Sequence, residues 1–341
     1  MTTVQAWPSE ALESDLPCPC CEGRVSTVLY AGLTDRVFGT APGAWTLRRC
    51  RDCGAAHLDP RPDEASIGRA YDSYYTHGGD VSTWPTGARL RLLHAYLNDC
   101  WGYALEPALP LGRLVAMLVP QRAALTAREI RHLRSRPGGR LLDVGAGSGS
   151  FVALARRLGW DAEGLDPDPS AVETAQGRGV PVRHGTLADV PVDDGPFDAV
   201  TLSHVIEHLH DPQRELQRIR RLLVPDGRLW IATPNLDALG HRRYGRDWLG
   251  LDPPRHLILF TPDSLRRLLG RAGFKVAAVP RAAPSAWQTF EQSRAIREGR
   301  RPSFTGEIGK TLGRARLADL IAYASPRQAE EIVVVARPAA A

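Results

Sequence analysis

Three groups of residues have the types and spacing to do chemistry. The first is Leu141-Leu-Asp-Val-Gly-Ala-Gly-Ser-Gly-Ser150, a glycine-rich turn between an apolar run and a helical pattern. Glycines in such a turn let the backbone approach a ligand that a side chain would exclude. The spacing is D-x-G-x-G-x-G with Asp143 inside the apolar run, whereas a pyrophosphate cradle follows G-x-G-x-x-G. An acidic strand end favours a ligand carrying positive charge. Asp166 closes the next apolar run, in Gly164-Leu-Asp-Pro167, where a carboxylate can accept both hydroxyls of a ribose.

The second group follows the run Phe197 to Leu202 and reads Ser203-His-Val-Ile-Glu-His208. His204, Glu207 and His208 are spaced i, i+3 and i+4, so a helical turn would put all three on one face. Farther on, Thr233-Pro-Asn235 ends an apolar run and Asp252-Pro-Pro-Arg-His-Leu-Ile-Leu-Phe260 adds His256. Arg255 and Arg246 read either as holders of a substrate phosphate or as surface ion pairs. Trp248 is either a stacking platform for a sugar ring or core.

The third group is cysteine. Five of the six cysteines fall in the first 53 residues, as Cys18-Pro-Cys-Cys21 and Cys50-Arg-Asp-Cys53. Two C-x-x-C pairs in two knuckles point to tetrahedral ligation of a structural Zn2+ by Cys18, Cys21, Cys50 and Cys53. A reducing compartment disfavours the alternative, disulfides. Cys20 either substitutes for a neighbour or is a bystander. The stretch between the pairs suits a ribbon whose hairpin, Val25 to Tyr30 and Ala44 to Arg48, stacks the knuckles.

The elements that must position these groups are legible as a change of pattern. After a turn-rich linker, His57 to Pro62, the segment Asp63 to Tyr75 reads as a capped helix ending in Tyr71, Tyr74 and Tyr75, and Gln121 to Arg136 as a basic amphipathic helix. From Arg140, short apolar runs alternate with helical periods: strands at 141–144, 162–165, 197–202, 228–232, 274–279 and 331–336, helices at 150–158, 170–176, 212–223 and 262–272. Such alternation implies right-handed crossovers and a largely parallel, doubly wound α/β sheet.

With these motifs in place, the chain resembles the class I S-adenosylmethionine-dependent methyltransferases over Arg140 to about Val279, with Glu331 to Arg337 as a seventh strand. The resemblance implies a Rossmann-like seven-stranded sheet and S-adenosyl-L-methionine as donor. Asp143 would lie near the methionine part, with Gly145, Ala146 and Gly147 under it. Asp166 would meet the ribose, Pro167 and Leu187 would flank the adenine, and Ser203 and Tyr75 would line the donor site. The segments H-x-x-E-H, P-N and P-R-H-L-x-x-F, the cysteine knuckles and the P-R-P linker are similar to a subgroup encoded with polysaccharide and glycan pathways. That implies domains at 14–62 (zinc ribbon), 63–136 (helical linker or cap) and 137–341 (methyltransferase, with a helical insertion at about 282–328).

Three readings of the His and Glu cluster stay open. His208 or Glu207 could act as general base toward an acceptor hydroxyl. His204, Glu207, His208 and His256 could hold a divalent metal that orients and acidifies the hydroxyl; this is similar to the E-x-x-E-H sites of ubiquinone-pathway and small-RNA 2′-O-methyltransferases, with His204 replacing the first Glu. Or the cluster only caps a turn and shapes the pocket. Tyr74 and Tyr75 either close over the donor or acceptor or pack an interface.

The expected activity is O-methylation of a sugar or glycan-pathway small-molecule hydroxyl, with a small-molecule or sugar-phosphate acceptor as partner. The rivals are an rRNA base methyltransferase, a C-methyltransferase of a nucleotide-linked keto sugar, and a non-catalytic donor-binding scaffold. At 341 residues, 43% hydrophobic and 24% charged, the chain can bury a large core. The net charge of +5 is modest, but seven Arg between Leu111 and Arg140, and six Arg with Lys310 between Glu291 and Arg316, suit phosphate-bearing partners as well as solvated helix faces. No stretch approaches the about 18 uncharged apolar residues of a membrane span, and the N-terminus lacks an apolar export core, so a cytoplasmic protein is expected.

Overall fold

The computed structural model describes residues 6–71, 85–303 and 311–340. Tyr74 and Tyr75 lie outside the described residues.

The chain opens with β1 (Leu12–Glu13), then β2 (Ser26–Leu33), β3 (Trp45–Cys50), β4 (Ala56–Leu58) and β5 (Arg61–Pro62). Hydrogen bonds join β2, β3 and β4 antiparallel, and β1 pairs with β5. The described part of the expected helix at 63–75 is a single 3-10 turn, Ile67–Tyr71. Asp63 spends its carboxylate on the Ser66 N–H, which tightens the entry. Helices α1 (Gly87–Trp101), α2 (Gly112–Leu118) and α3 (Pro120–Glu129) follow. The last is shorter than the basic pattern suggested, because Arg131 and His132 take positive φ and turn the chain inward.

The alternation from Arg140 is real. It gives β6 (Arg140–Val144), α4 (Ser150–Arg157), β7 (Asp161–Asp166), α5 (Pro169–Gly177), β8 (Val182–His184), β9 (Phe197–Ser203), α6 (Pro212–Leu222) and β10 (Leu223–Pro234). It continues with α7 (Leu239–Tyr244), β11 (Ile258–Leu259), α8 (Pro262–Arg271), β12 (Phe274–Ala278), α9 (Ala286–Arg297), α10 (Leu312–Ala324) and β13 (Glu331–Pro338). The seven-stranded sheet has the order β12-β13-β10-β9-β6-β7-β8. β13 runs antiparallel to both its neighbours, and the pairs from β10 to β8 are parallel.

In β6, Leu141 packs into one core cluster with α4 and α5, and Leu142 into another with α6 and α8. Burial of both faces is why these strands read as continuous apolar runs. Strand order reverses between β6 and β9, and in open α/β sheets the ligand crevice lies beyond the carboxyl ends at such a reversal. The glycine turn leaves β6 there, and the His204 to His208 segment leaves β9.

One pairing joins the cysteine-bearing sheet to this domain. β11, from the P-R-H-L segment, adds a fourth strand beside β4, with Ile258 opposite His57 and Leu259 opposite Ala56. Cys18, Leu47 and Leu58 accordingly share one core with Leu202, Phe260 and Leu265.

Candidate functional site

The glycine turn is pressed against the segment that follows β9. Gly145 has φ +68°, and a Cβ there would lie 2.4 Å from Val205 Cγ2. The turn's donors are committed: the N–H groups of Gly145 and Ala146 both bond the Leu165 carbonyl, at 2.8 and 3.1 Å, and Gly147 N–H donates to Asp166 Oδ2 at 2.7 Å. These three donors are spent within the protein and are not offered to a pyrophosphate.

Asp143 is fully buried. Its Oδ1 accepts from Arg131 and from Thr201 Oγ1, whereas its Oδ2 has no hydrogen-bond partner among the described residues. Part of the positive charge expected beside this acid is therefore internal, and one buried acceptor is left over. Asp166 ends β7 at 5% exposure and also accepts the Asp168 N–H. An orphaned carboxylate oxygen on β6 and a second carboxylate one strand away fit a ligand with a cationic end and a hydroxyl-rich end. Leu187 is buried in the turn Leu187–Asp189, where the Asp189 carboxylate caps Thr186. The Pro167 carbonyl meets His184 Nε2, and Ser203 closes β9 half-buried.

The spacing at 204–208 does not produce one helical face. His204 adopts φ +55° as its N–H bonds the Ala232 carbonyl, and only Ile206–His208 forms a 3-10 turn. Both ring nitrogens of His204 face carboxylates, Nδ1 to Glu207 Oε1 at 3.2 Å and Nε2 to Glu331 Oε1 at 2.7 Å. Partial desolvation of this 41% exposed ring opposes its charging, but Glu331 and the two hydrogen bonds outweigh it and raise its pKa to about 10. With both ring nitrogens turned to carboxylates, His204 stands apart from the ligating atoms that converge nearby. Glu331 in turn takes a forked pair from Arg128.

What converges is Glu207, His208 and His256, whose ligating atoms lie within 4.8 Å of one another. Glu207 is fully buried and accepts from Thr233 Oγ1 at 2.9 Å. Burial would raise its pKa, yet the hydrogen bond and charge of His204 bring it down to about 2. His208 Nδ1 lies 2.9 Å from the Arg255 carbonyl, and His256 Nδ1 lies 2.8 Å from the Gly250 carbonyl. A carbonyl only accepts, so each Nδ1 carries its proton and each Nε2 presents a lone pair. Burial, and then His256, pull the His208 pKa down to about 4.

The remaining expectations sort by burial. Arg255 is fully buried against Asp35 and Asp252 and holds no phosphate. Arg246 donates to the carbonyls of Ala31 and Gly32. Trp248 is core, with its Nε1 on Glu330. In the basic stretches, Arg128, Arg131, Arg136 and Arg140 pair with Glu331, Asp143, Asp198 and Glu163, and Arg294, Arg297 and Arg300 with Glu291, Asp247 and Glu298. The residues that sequence reasoning missed are Arg131, Glu331, Thr233 and Asp35, which act through neighbours distant in the chain.

Cys18, Cys21, Cys50 and Cys53 form a second cluster of possible ligands. Their sulfurs approach to 3.6 Å in the pairs Cys18–Cys53 and Cys21–Cys50. Tetrahedral thiolates about 2.3 Å from zinc are separated by about 3.8 Å, so the donor set fits that ion. Hydrogen bonds to Cys18 and Cys53 hold the buried Cys20 thiol protonated, which gives it a donor's place beside the four.

Residues 119–279 match the family described as a methyltransferase domain. A "Ubiquinone biosynthesis O-methyltransferase" of Azorhizobium caulinodans is 30% identical over 161 residues, 44% of this chain and 64% of that protein. A "Probable S-adenosylmethionine-dependent methyltransferase" of Mycolicibacterium smegmatis is 33% identical over 180 residues, 51% of this chain and 68% of that protein. The solved structure of an S-adenosylmethionine-dependent methyltransferase of Thermotoga maritima is 26% identical, with a TM-score of 0.38 over 48% of this chain and 76% of that one. Among the described residues no helix is long and apolar enough to cross a membrane.

Proposed function

Because the chain belongs to the S-adenosylmethionine-dependent methyltransferases, we propose that it methylates a hydroxyl oxygen of a small molecule. The observation that carries this reading is the convergence of Glu207, His208 and His256 beside the glycine turn. S-adenosylmethionine supplies an electrophilic methyl on a sulfonium, so the protein's task is chiefly alignment. Asp166 would receive the ribose hydroxyls, and the unpartnered Oδ2 of Asp143 would accept from the cationic end.

Glu207, His208 and His256 would hold a divalent cation, which lowers the pKa of a bound hydroxyl. Three features support a cation over a lone base. Both histidines donate Nδ1–H to carbonyls, which leaves each an Nε2 lone pair, an arrangement typical of metal-bound imidazoles. His204 and Thr233 orient the Glu207 carboxylate. A His208 whose pKa sits near 4 is a weak proton acceptor for an alcohol. Cys18, Cys21, Cys50 and Cys53 would hold a separate structural zinc. The O-methyltransferase activity in the name of the Azorhizobium relative supports oxygen as the methylated atom.

The test is methyl transfer to a panel of catechols and sugar diols, read as released S-adenosylhomocysteine. Chelator-treated enzyme should lose activity that Mg2+ or Mn2+ restores, and His208→Ala and His256→Ala should each lower turnover about 100-fold or more with donor affinity intact. If chelated enzyme and His256→Ala stay active while His208→Ala does not, His208 is a general base. Full activity in all three would remove both mechanisms.

A further inference from the structure

We infer that Asp35, in the cysteine-bearing module, is a positioning residue for the acceptor site and acts on His208 through Arg255. The argument rests on the acceptor-site reading above, and starts from a charge that has no business in a core. Arg255 is fully buried, and its guanidinium makes two bonds to Asp35, at 3.0 and 2.7 Å, and two to Asp252, at 2.9 and 2.6 Å. Asp35 is fixed beforehand by its own loop, since its carboxylate accepts the N–H groups of Phe38, Thr40 and Ala41 at 3.0 to 3.1 Å. A buried ion pair of this kind adds little net stability, because desolvation consumes the Coulombic gain; its better-attested use is to fix one arrangement.

The arrangement fixed here is that of His208. The Arg255 carbonyl accepts from His208 Nδ1 and so selects the tautomer that leaves Nε2 free. The same guanidinium donates to the Ala70 carbonyl at 2.9 Å, and the next residue, Tyr71, places its hydroxyl 3.0 Å from His208 Nδ1. Both groups that touch Nδ1 are therefore tied to the Asp35–Arg255 pair. The flanking chain is tied as well: Leu58 N–H bonds the Leu257 carbonyl and Leu257 N–H bonds the Glu207 carbonyl, both at 2.9 Å. The N-terminal module is thus a wall of the acceptor site, and Asp35 is the point at which its position is transmitted.

The experiment uses the full, zinc-loaded chain labelled with 15N-histidine. Long-range 1H–15N spectra report the His208 tautomer, calorimetry the affinity for S-adenosylhomocysteine, and electron paramagnetic resonance the affinity for Mn2+. The wild type should show His208 with its proton on Nδ1. Asp35→Asn should give mixed His208 tautomers and Mn2+ affinity lower by about tenfold or more, with S-adenosylhomocysteine affinity within about twofold of wild type. If Asp35→Asn does not fold, the triple variant Asp35→Leu/Asp252→Asn/Arg255→Met, which removes the buried cation together with both carboxylates that face it, takes its place with the same expectation. A folded variant with the wild-type His208 tautomer overturns the inference. A wild type that binds no Mn2+ defeats the cation reading instead, and the tautomer still decides the role of Asp35.

Discussion

At the scale of single residues, Asp166 carries the most exposed claim. Its carboxylate holds the Gly147 N–H and the Asp168 N–H, so it shapes the glycine turn as well as facing the crevice. Asp166→Ala removes an acceptor for ribose hydroxyls and leaves two backbone donors unpaired, a loss of about 1 to 3 kcal/mol. The S-adenosylhomocysteine dissociation constant should rise about 5- to 150-fold. An unchanged constant would mean that the donor does not lie over this strand end. Asp143 differs: Arg131 and Thr201 already hold one of its oxygens, so only Oδ2 is left for a ligand. Sequence spacing marked both acids but could not show that one oxygen of Asp143 is already taken, because Arg131 lies outside the motif and reaches Asp143 only after α3 ends and the chain turns inward.

At the scale of elements, Glu330 shows how the acceptor side is fastened. It precedes β13, accepts the α7 Gly240 N–H at 2.7 Å and the Trp248 Nε1–H at 3.1 Å, and burial pushes its carboxyl up to about 7. The folded form thus keeps its proton to higher pH than the unfolded chain, whose ordinary value is near 4.5. The stability this gives is complete below the unfolded value and is lost as pH climbs toward about 7. A gap of that size corresponds to about 3 kcal/mol. Urea titrations at pH 5 and pH 8 should show a steeper fall for the wild type than for Glu330→Gln; parallel curves would reject the assignment. Strands and helices of the sheet were legible because two buried faces and a glycine turn leave period and punctuation in the sequence. The segment from His204 to His208 was not, since i, i+3, i+4 spacing describes a helix and the chain instead bends at His204 to meet the Ala232 carbonyl. Glu331 escaped for another reason: at the head of an apolar strand it looked like a boundary, and only the antiparallel return of β13 brings it to His204.

At the scale of the molecule, the sheet that carries the cysteine knuckles and the segment that carries the acceptor site share a short strand. Sequence composition separates a ribbon from a sheet domain, yet β11 pairs with β4, and Leu257 links β4 to the Glu207 backbone. The donor side has no such hydrogen-bonded link among the described residues: the glycine turn bonds within itself and to β7, and meets the acceptor segment by packing of Gly145 on Val205. Zinc removal should therefore be felt asymmetrically. Elemental analysis should find one zinc per chain, and because structural zinc supplies folding free energy, stripping it should loosen the module it closes. Hydrogen exchange should then speed up over residues 12–62 and, with them, over residues 252–260, which carry Arg255 and His256. S-adenosylhomocysteine affinity should stay within a few-fold while Mn2+ binding falls. Two outcomes would count against this coupling: protection at 252–260 that survives zinc loss, which would make the ribbon an independent appendage, or equal loss of donor and Mn2+ binding, which would make zinc a fastening of the whole fold.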